Sequence, residues 1–288
     1  MFPAPLRGIL LALMSTALFV FVGVLVRILS DTIDVFQILL FRQLVFITLL
    51  IPSIIISIDT LLKPQMVHLH LLRIVGAFMA LYLGFITVSN IPLADATALG
   101  FTQVLFVAII SRVFLSESVG IARQITVLVG FCGVLLVVQP VFEATSTIYT
   151  LAGLAGALGA AVAVVCVRRM SRSESRVILL TYQAVFVGLI ALIPGLLAWQ
   201  WPTMHELVLL VFVGVISSAA QWIGVTAYKL GEANVIANIE YAKIIYSLAF
   251  GYWLFAEIPN SVAVVGALII IGSGFLPLAS RYWSKSLR

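Results

Sequence analysis

The sequence predicts an all-α integral membrane protein with ten transmembrane helices arranged as two inverted five-helix repeats. Composition is the first observation: of 288 residues, 63% are hydrophobic and only 9% are charged, whereas about a quarter of the residues in soluble domains are charged. The second observation is a series of about ten apolar runs, each long enough to cross a bilayer. The third is an internal repeat of one sequence pattern. Lipid is therefore the expected solvent.

Each apolar run is predicted to be a helix, because a spanning segment must satisfy its backbone hydrogen bonds internally. A closed β-barrel is excluded, since the runs are too long and their apolar residues do not alternate. The first run extends to about Val26 without a small-x-small cleavage site before Arg27, so it is kept as a mature span rather than a signal peptide. The ten predicted spans start at Leu6, Ile33, Val67, Leu93, Ile121, Ile148, Val177, His205, Ala233 and Ser261.

Lysine and arginine residues set the predicted orientation. With ten spans both termini lie on one side, and thirteen of the sixteen basic residues fall at or near that side. The opposite side receives only Arg27, while Arg42 and Lys243 lie at depth. Because basic residues concentrate on the cytoplasmic side, we expect a multi-pass protein of the bacterial inner membrane with both termini in the cytoplasm.

The internal repeat divides the chain into residues 1–140 and 141–288. Pro92–Thr97 and the run that ends at Glu117 resemble Gly231–Asn234 and the run that ends at Glu257. Five spans per half is an odd number, so the second repeat is inverted relative to the first. Inverted repeats place a binding site at their interface, near the middle of the membrane.

Two ionisable residues, Glu240 and Lys243, lie three positions apart in the predicted ninth span and therefore share a helix face. Charge at bilayer depth is costly and usually functional. One interpretation is a cavity-lining face that binds a polar group or couples to protons. The alternative is an internal ion pair that holds two helices together.

Arg42 in the second span also needs a partner. It is expected to point inward, either to bind substrate or to serve a structural role. Thr102 lies on the same face of the fourth span as Asp95, whose carboxylate is expected to complement the helix dipole. Aromatic and amide side chains at depth are interpreted either as a substrate path or as packing residues with satisfied polar tips. They are Tyr82, Gln103, Tyr182, Gln183, Gln221, Trp222 and Tyr241.

The sequence resembles the EamA-domain family of ten-helix drug/metabolite transporters. The matching pieces are Phe41-Arg42, the Pro92–Thr102 stretch, Glu117, Gly130–Gly133, Gly231–Asn234 and Glu257. The resemblance covers nearly the whole chain. It implies that helices one to four and six to nine surround a central cavity, with helices five and ten peripheral. Val104 and Ile244 stand where the family often has proline.

The resemblance implies a secondary transporter that moves a small organic metabolite by alternating access. Relatives handle amino acids, nucleoside-like compounds, riboflavin, S-adenosylmethionine and metal-chelating metabolites. Basic residues at depth favour an amino acid or its derivative, whereas a structurally paired Arg42 would favour a riboflavin- or nucleoside-like compound. Proton coupling through Glu240 and uncoupled facilitation both remain open.

Other function classes lack a signal in the sequence. No Gly-rich phosphate loop is present, so ATP drive within this chain is not expected. An intramembrane enzyme would need a His-Glu-x-x-His motif or paired intramembrane aspartates, and neither occurs. We therefore expect no enzyme activity, no cofactor, no metal and no nucleic-acid partner. The expected partners are the substrate and the lipid bilayer, with the chain as a monomer or homodimer.

Overall fold

The structure, a computed structural model, describes residues 4–114, 121–139, 144–170, 173–230 and 242–286. Within these ranges every regular element is a helix, which confirms the predicted all-α class. The helices are α1 (Ala4–Leu29), α2 (Val35–Ile56), α3 (Ile58–Leu61), α4 (Val67–Asn90), α5 (Leu93–Phe114), α6 (Ile121–Val138), α7 (Ala144–Met170), α8 (Arg176–Leu197), α9 (Met204–Leu230), α10 (Ala242–Phe255) and α11 (Ser261–Ser286).

Nine of the ten predicted span starts lie within four residues of the start of an observed helix. The predicted start of the ninth, Ala233, lies outside the described residues. The four-residue helix α3 has no counterpart in the prediction; it follows α2 after Ser57.

Six helices are long and apolar enough to cross a membrane over the part of the chain that the structure describes. They contain the segments Leu6–Leu29, Val35–Ile56, Val67–Asn90, Thr147–Val167, Arg176–Leu197 and Met204–Gly224. Four further helices contain shorter apolar segments, Leu93–Val107, Leu128–Val137, Ala242–Phe255 and Ser261–Ser273. The protein is therefore a multi-pass membrane protein, and the count of ten spans stays a prediction.

Local sequence explains where individual helices begin. Asp34 precedes α2, and its carboxylate accepts the backbone N–H of Phe36 at 2.8 Å. Before α9, the N–H of Thr203 donates to the carboxylate of Glu206 at 2.7 Å, and the N–H of Glu206 donates back to the Thr203 hydroxyl at 3.3 Å. This reciprocal pair is a capping box, which satisfies amides that the first helical turn leaves without partners.

The most extensive helix packing joins the two halves of the chain. α4 packs on α7, α1 on α9, α6 on α11 and α2 on α8. Glycines allow the closest of these contacts: a Cβ added at Gly76 in α4 would lie 2.6 Å from the carbonyl oxygen of Gly159 in α7, and one added at Gly133 in α6 would lie 2.8 Å from that of Gly266 in α11. Each half thus buries its apolar faces against the other half, and the core is shared between them.

Candidate functional site

Arg42 lies in the interior of α2 and is only 3% exposed. Its Nη1 donates to Oε1 of Gln43 at 3.0 Å, and its Nη2 donates to Oε1 of Gln221 in α9 at 3.5 Å. Both partners are neutral, and no carboxylate pairs with Arg42 within the described ranges. The structure therefore brings together two of the predicted site residues, Arg42 and Gln221. We refer to Arg42, Gln43 and Gln221 as the Arg42 group.

Tyr82 belongs to an aromatic stack between α2 and α4. Its ring lies 4.1 Å from that of Phe36, with 22° between the planes, and 5.5 Å from that of Phe78, with 5° between the planes. Phe36 and Arg42 are both on α2, six residues apart, so the stack lies nearer the start of that helix. The Arg42 group contains the hydrogen-bond donors of one guanidinium and two amides, whereas the aromatic stack presents flat apolar ring faces.

Thr102 is buried in α5, and its hydroxyl donates to the carbonyl of Leu99 at 2.6 Å. It lines a shallow cleft between α5 and α6, together with Phe101, Val104, Leu105, Gly130, Phe131 and Val134. Gln103, the next residue of α5, is half-buried. The hydroxyl of Thr102 is thus satisfied by its own helix on the face that α5 presents to α6.

Lys243 is the second residue of α10 and is half-buried. Helix α10 packs on α5 and α1. Glu240 and Tyr241 lie outside the described residues, so the predicted relationship between Glu240 and Lys243 stays a prediction.

Trp222 follows Gln221 in α9 but points in another direction. Its side chain is 47% exposed, and the guanidinium of Arg176 lies 5.5 Å from the centre of its indole ring. Since neighbouring residues of a helix are about 100° apart, Gln221 faces α2 while Trp222 faces outward. The structure places Trp222 on the surface of the bundle, where a tryptophan paired with a cation suits the membrane interface.

Arg73 is one of the thirteen basic residues that the sequence places at or near the cytoplasmic side, yet it is 5% exposed. It lies in α4 and donates from Nη1 to the carbonyl of Leu179 and from Nη2 to Oε1 of Gln183 at 2.8 Å, both in α8. Its Nε has no partner among the described residues. Sequence reasoning missed this residue because six positions into a span is close enough to the membrane surface for arginine to reach water.

A second buried polar group joins α4 to the connection before α8. Nε2 of His70 lies 3.4 Å from Oε1 of Glu174, with both side chains 2% exposed, and the same oxygen accepts the N–H of Gln65 at 2.7 Å. Tyr182 lies beside the His70 ring at 4.7 Å, and its hydroxyl donates to the carbonyl of Leu61 at 2.8 Å. Glu174 and the ring of Tyr182 thus cover His70 near the start of α4.

The sequence model of the EamA-like transporter family matches the chain twice, over residues 6–139 and 147–278. The chain is 30% identical over 272 residues to the pseudopaline exporter CntI of Pseudomonas aeruginosa, which covers 92% of this chain and 93% of that protein. It is 26% identical over 248 residues to an S-adenosylmethionine uptake transporter of Rickettsia bellii, covering 86% and 85% of the two chains.

A riboflavin transporter of Vibrio cholerae is 27% identical over 212 residues, covering 73% of this chain and 71% of that protein. A protein of known crystal structure has the same fold, with a TM-score of 0.71 over 97% of this chain and 98% of the other, at 18% sequence identity. The named relatives are transporters and not enzymes. The chain belongs to the EamA-like transporter family and is a small-molecule membrane transporter.

Proposed function

We propose that this protein is a secondary transporter that moves an amino acid or amino-acid derivative across the bacterial inner membrane by alternating access. Residues 1–140 and 141–288 form two inverted five-helix repeats in this proposal, with both termini in the cytoplasm. The observation that carries the substrate class is Arg42, a buried guanidinium whose partners in the described structure are two neutral amides. A substrate carboxylate would supply the missing negative charge.

The pairing of helices supports the two-repeat arrangement. If α1, α2, α4, α5 and α6 correspond to α7, α8, α9, α10 and α11, exchanging the halves converts the α4–α7 contact into the α9–α1 contact. The same exchange converts α2–α9 into α8–α4, and it leaves α2–α8, α5–α10 and α6–α11 unchanged. The two separate matches to the family model support the same division. Such a pair of repeats can rock against each other and open to one side at a time.

A planar vitamin-like substrate is the second candidate. It is favoured by the stack of Phe36, Tyr82 and Phe78, because a flat ligand would gain stacking energy against these rings. A relative that is named as a riboflavin transporter supports this second candidate. A planar ligand would depend on Tyr82, whereas a carboxylate ligand would depend on Arg42.

A counterflow experiment in proteoliposomes tests the proposal. The purified protein is first screened for metabolites that raise its melting temperature, because a ligand that binds the folded state stabilises it. Stabilising compounds are then loaded inside, and uptake of the labelled compound is measured. We expect Arg42→Gln to lower the uptake of an amino-acid substrate at least tenfold, Arg42→Lys to retain part of it, and Arg7→Gln, an exposed control at the start of α1, to leave it unchanged.

The outcomes separate the two candidates. Loss of uptake with Arg42→Gln but not with Tyr82→Ala supports the carboxylate substrate, and the reverse supports the planar one. Failure of every stabilising compound to exchange would reject the transport proposal. Equal rates with and without a pH gradient would remove proton coupling and leave a facilitator.

A further inference from the structure

Arg73 is a second buried guanidinium without a carboxylate partner in the described residues. Two of its three nitrogens donate to neutral oxygens of α8, those of Leu179 and Gln183, and the third, Nε, donates to nothing described. A buried charge that is not neutralised by an opposite charge is expensive in a low-dielectric interior. A site that keeps such a charge suits an anionic group that arrives from outside the chain.

A further unused donor belongs to the Arg42 group. Nε2 of Gln43 in α2 is buried and has no partner among the described residues. Helices α2, α4 and α8 all pack on one another. An ionised carboxylate only accepts hydrogen bonds and has about four lone pairs for them, so it matches a region with surplus donors.

Gln43 and Gln183 occupy equivalent positions in two similar sequence segments, one in each half of the chain. Residues 38–46 read ILLFRQLVF and residues 178–186 read ILLTYQAVF, with six of nine residues identical. Gln43 is the sixth residue of the first segment, and Gln183 is the sixth residue of the second. Each glutamine accepts a hydrogen bond from a buried arginine, Gln43 from Arg42 and Gln183 from Arg73.

The two arginine–glutamine pairs also lie at contacts that correspond to each other. Arg42 reaches from α2 to Gln221 in α9, and Arg73 reaches from α4 to Gln183 in α8. Exchanging the halves converts the first helix contact into the second. The arginines themselves come from different positions of the repeat.

The depths follow from the helix starts. Arg42 lies about two turns into α2, and Arg73 lies slightly less than two turns into α4, which at 1.5 Å per residue places each about 10 Å from the start of its helix. In the proposed topology α2 and α4 are successive spans that run in opposite directions, so the Cα atoms of Arg42 and Arg73 lie in opposite halves of the membrane. A hydrocarbon core of about 30 Å then leaves about 10 Å between the two Cα atoms along the membrane normal.

We propose that Arg42 and Arg73 are two carboxylate subsites on one transport path, used in turn as a carboxylate-bearing substrate crosses the membrane. This inference rests on the proposed transport function. The arrangement lets the substrate leave one guanidinium for another instead of for an apolar interior. It also rejects carboxamides, because an amide group supplies no charge and brings donors to a site already rich in donors.

Matched acids and amides test the proposal in binding. The purified protein is titrated with L-glutamate against L-glutamine, L-aspartate against L-asparagine and succinate against succinamide, and the change in melting temperature is recorded. We expect at least one acid to stabilise the wild type while its amide does not. Arg73→Gln should weaken binding of that acid at least tenfold, Arg73→Lys should restore part of the affinity, and Arg7→Gln should bind like wild type.

A chemical measurement on the wild-type protein tests the proposal even if the Arg73 variants do not fold. Phenylglyoxal, which modifies arginines that water can reach, is applied to the wild-type protein in proteoliposomes, and modified peptides are identified by mass spectrometry. We expect Arg73 to be modified without ligand and protected by the stabilising acid. The inference is overturned if Arg73 is never modified, if amides bind as well as acids, if no acid in the panel binds, or if Arg73→Gln binds the acid within twofold of wild type.

The proposed function and this inference can fail separately. Counterflow of a neutral or cationic metabolite that is insensitive to Arg73→Gln would leave the protein a transporter and reject the carboxylate subsites. Absence of counterflow with every stabilising compound would reject transport itself, whatever the acids bind.

Discussion

Arg27 at the end of α1 and Glu257 after α10 form an ion pair across 230 residues of sequence. The guanidinium of Arg27 also lies 4.3 Å from the centre of the Phe255 ring, and Oε2 of Glu257 accepts the backbone N–H of Leu93 at 3.1 Å. One carboxylate therefore links the ends of α1 and α10 to the start of α5. The amide that Glu257 accepts belongs to α5, in the other half of the chain.

A double-mutant cycle measures this relationship. Arg27→Ala and Glu257→Ala should each lower the free energy of unfolding, and the double variant should lose less than the sum, with a coupling energy of about 1 kcal/mol because both side chains retain partial contact with solvent. Chemical denaturation of the protein in mixed micelles provides the values. Strict additivity of the two substitutions would mean that the pair contributes nothing to stability.

The contact between α4 and α7 predicts that substitution by alanine lowers stability at one glycine of α4 and not at another. Gly76→Ala places a methyl group 2.6 Å from the backbone oxygen of Gly159, which cannot rotate away, so the helices must separate; we expect a loss of about 1–3 kcal/mol. Gly84→Ala meets no atom within 4 Å and should be neutral or slightly stabilising, since alanine is the better helix former. Melting temperatures of the two variants in the same detergent make the comparison, and equal values contradict it.

The contacts of the buried Glu174 carboxylate predict that its removal lowers the free energy of unfolding. Glu174→Ala removes a buried carboxylate that accepts the N–H of Gln65 and contacts Nε2 of His70, which should cost about 1–3 kcal/mol. Asp59→Ala, which removes an exposed carboxylate from α3, serves as the control and should have little effect. Unfolding by denaturant measures both. A Glu174→Ala protein as stable as wild type would show that water replaces the lost acceptor.

Lys243 provides a functional test. If α10 lines the substrate path, Lys243→Ala should reduce counterflow of the substrate at least fivefold while the protein still inserts into the membrane, because a cation on that path contributes to the binding of an anionic group. Lys63→Ala, an exposed residue in the connection before α4, should retain wild-type counterflow. Unchanged transport by the Lys243 variant would remove this residue from the site.

Much of the fold follows from local chemistry that the sequence carries directly. Apolar runs of about 20 residues leave lipid as the only solvent, and lipid forces each run to form its hydrogen bonds within a helix. For this reason the predicted starts at Val67, Leu93, Ile121 and Ser261 coincide with helix starts in the structure. The family resemblance rests on motifs that are equally local, and the family match confirms it.

The sequence by itself determined the environment, the helices and the class of transporter, because these depend on composition and on spacings within one helix. Only the tertiary structure decided that Gln221 meets Arg42 while its neighbour Trp222 faces outward, and that Arg73 is buried against Gln183. These contacts join residues more than one hundred positions apart. They depend on which face each helix turns towards its neighbour, and that choice is made by the packing of both halves together.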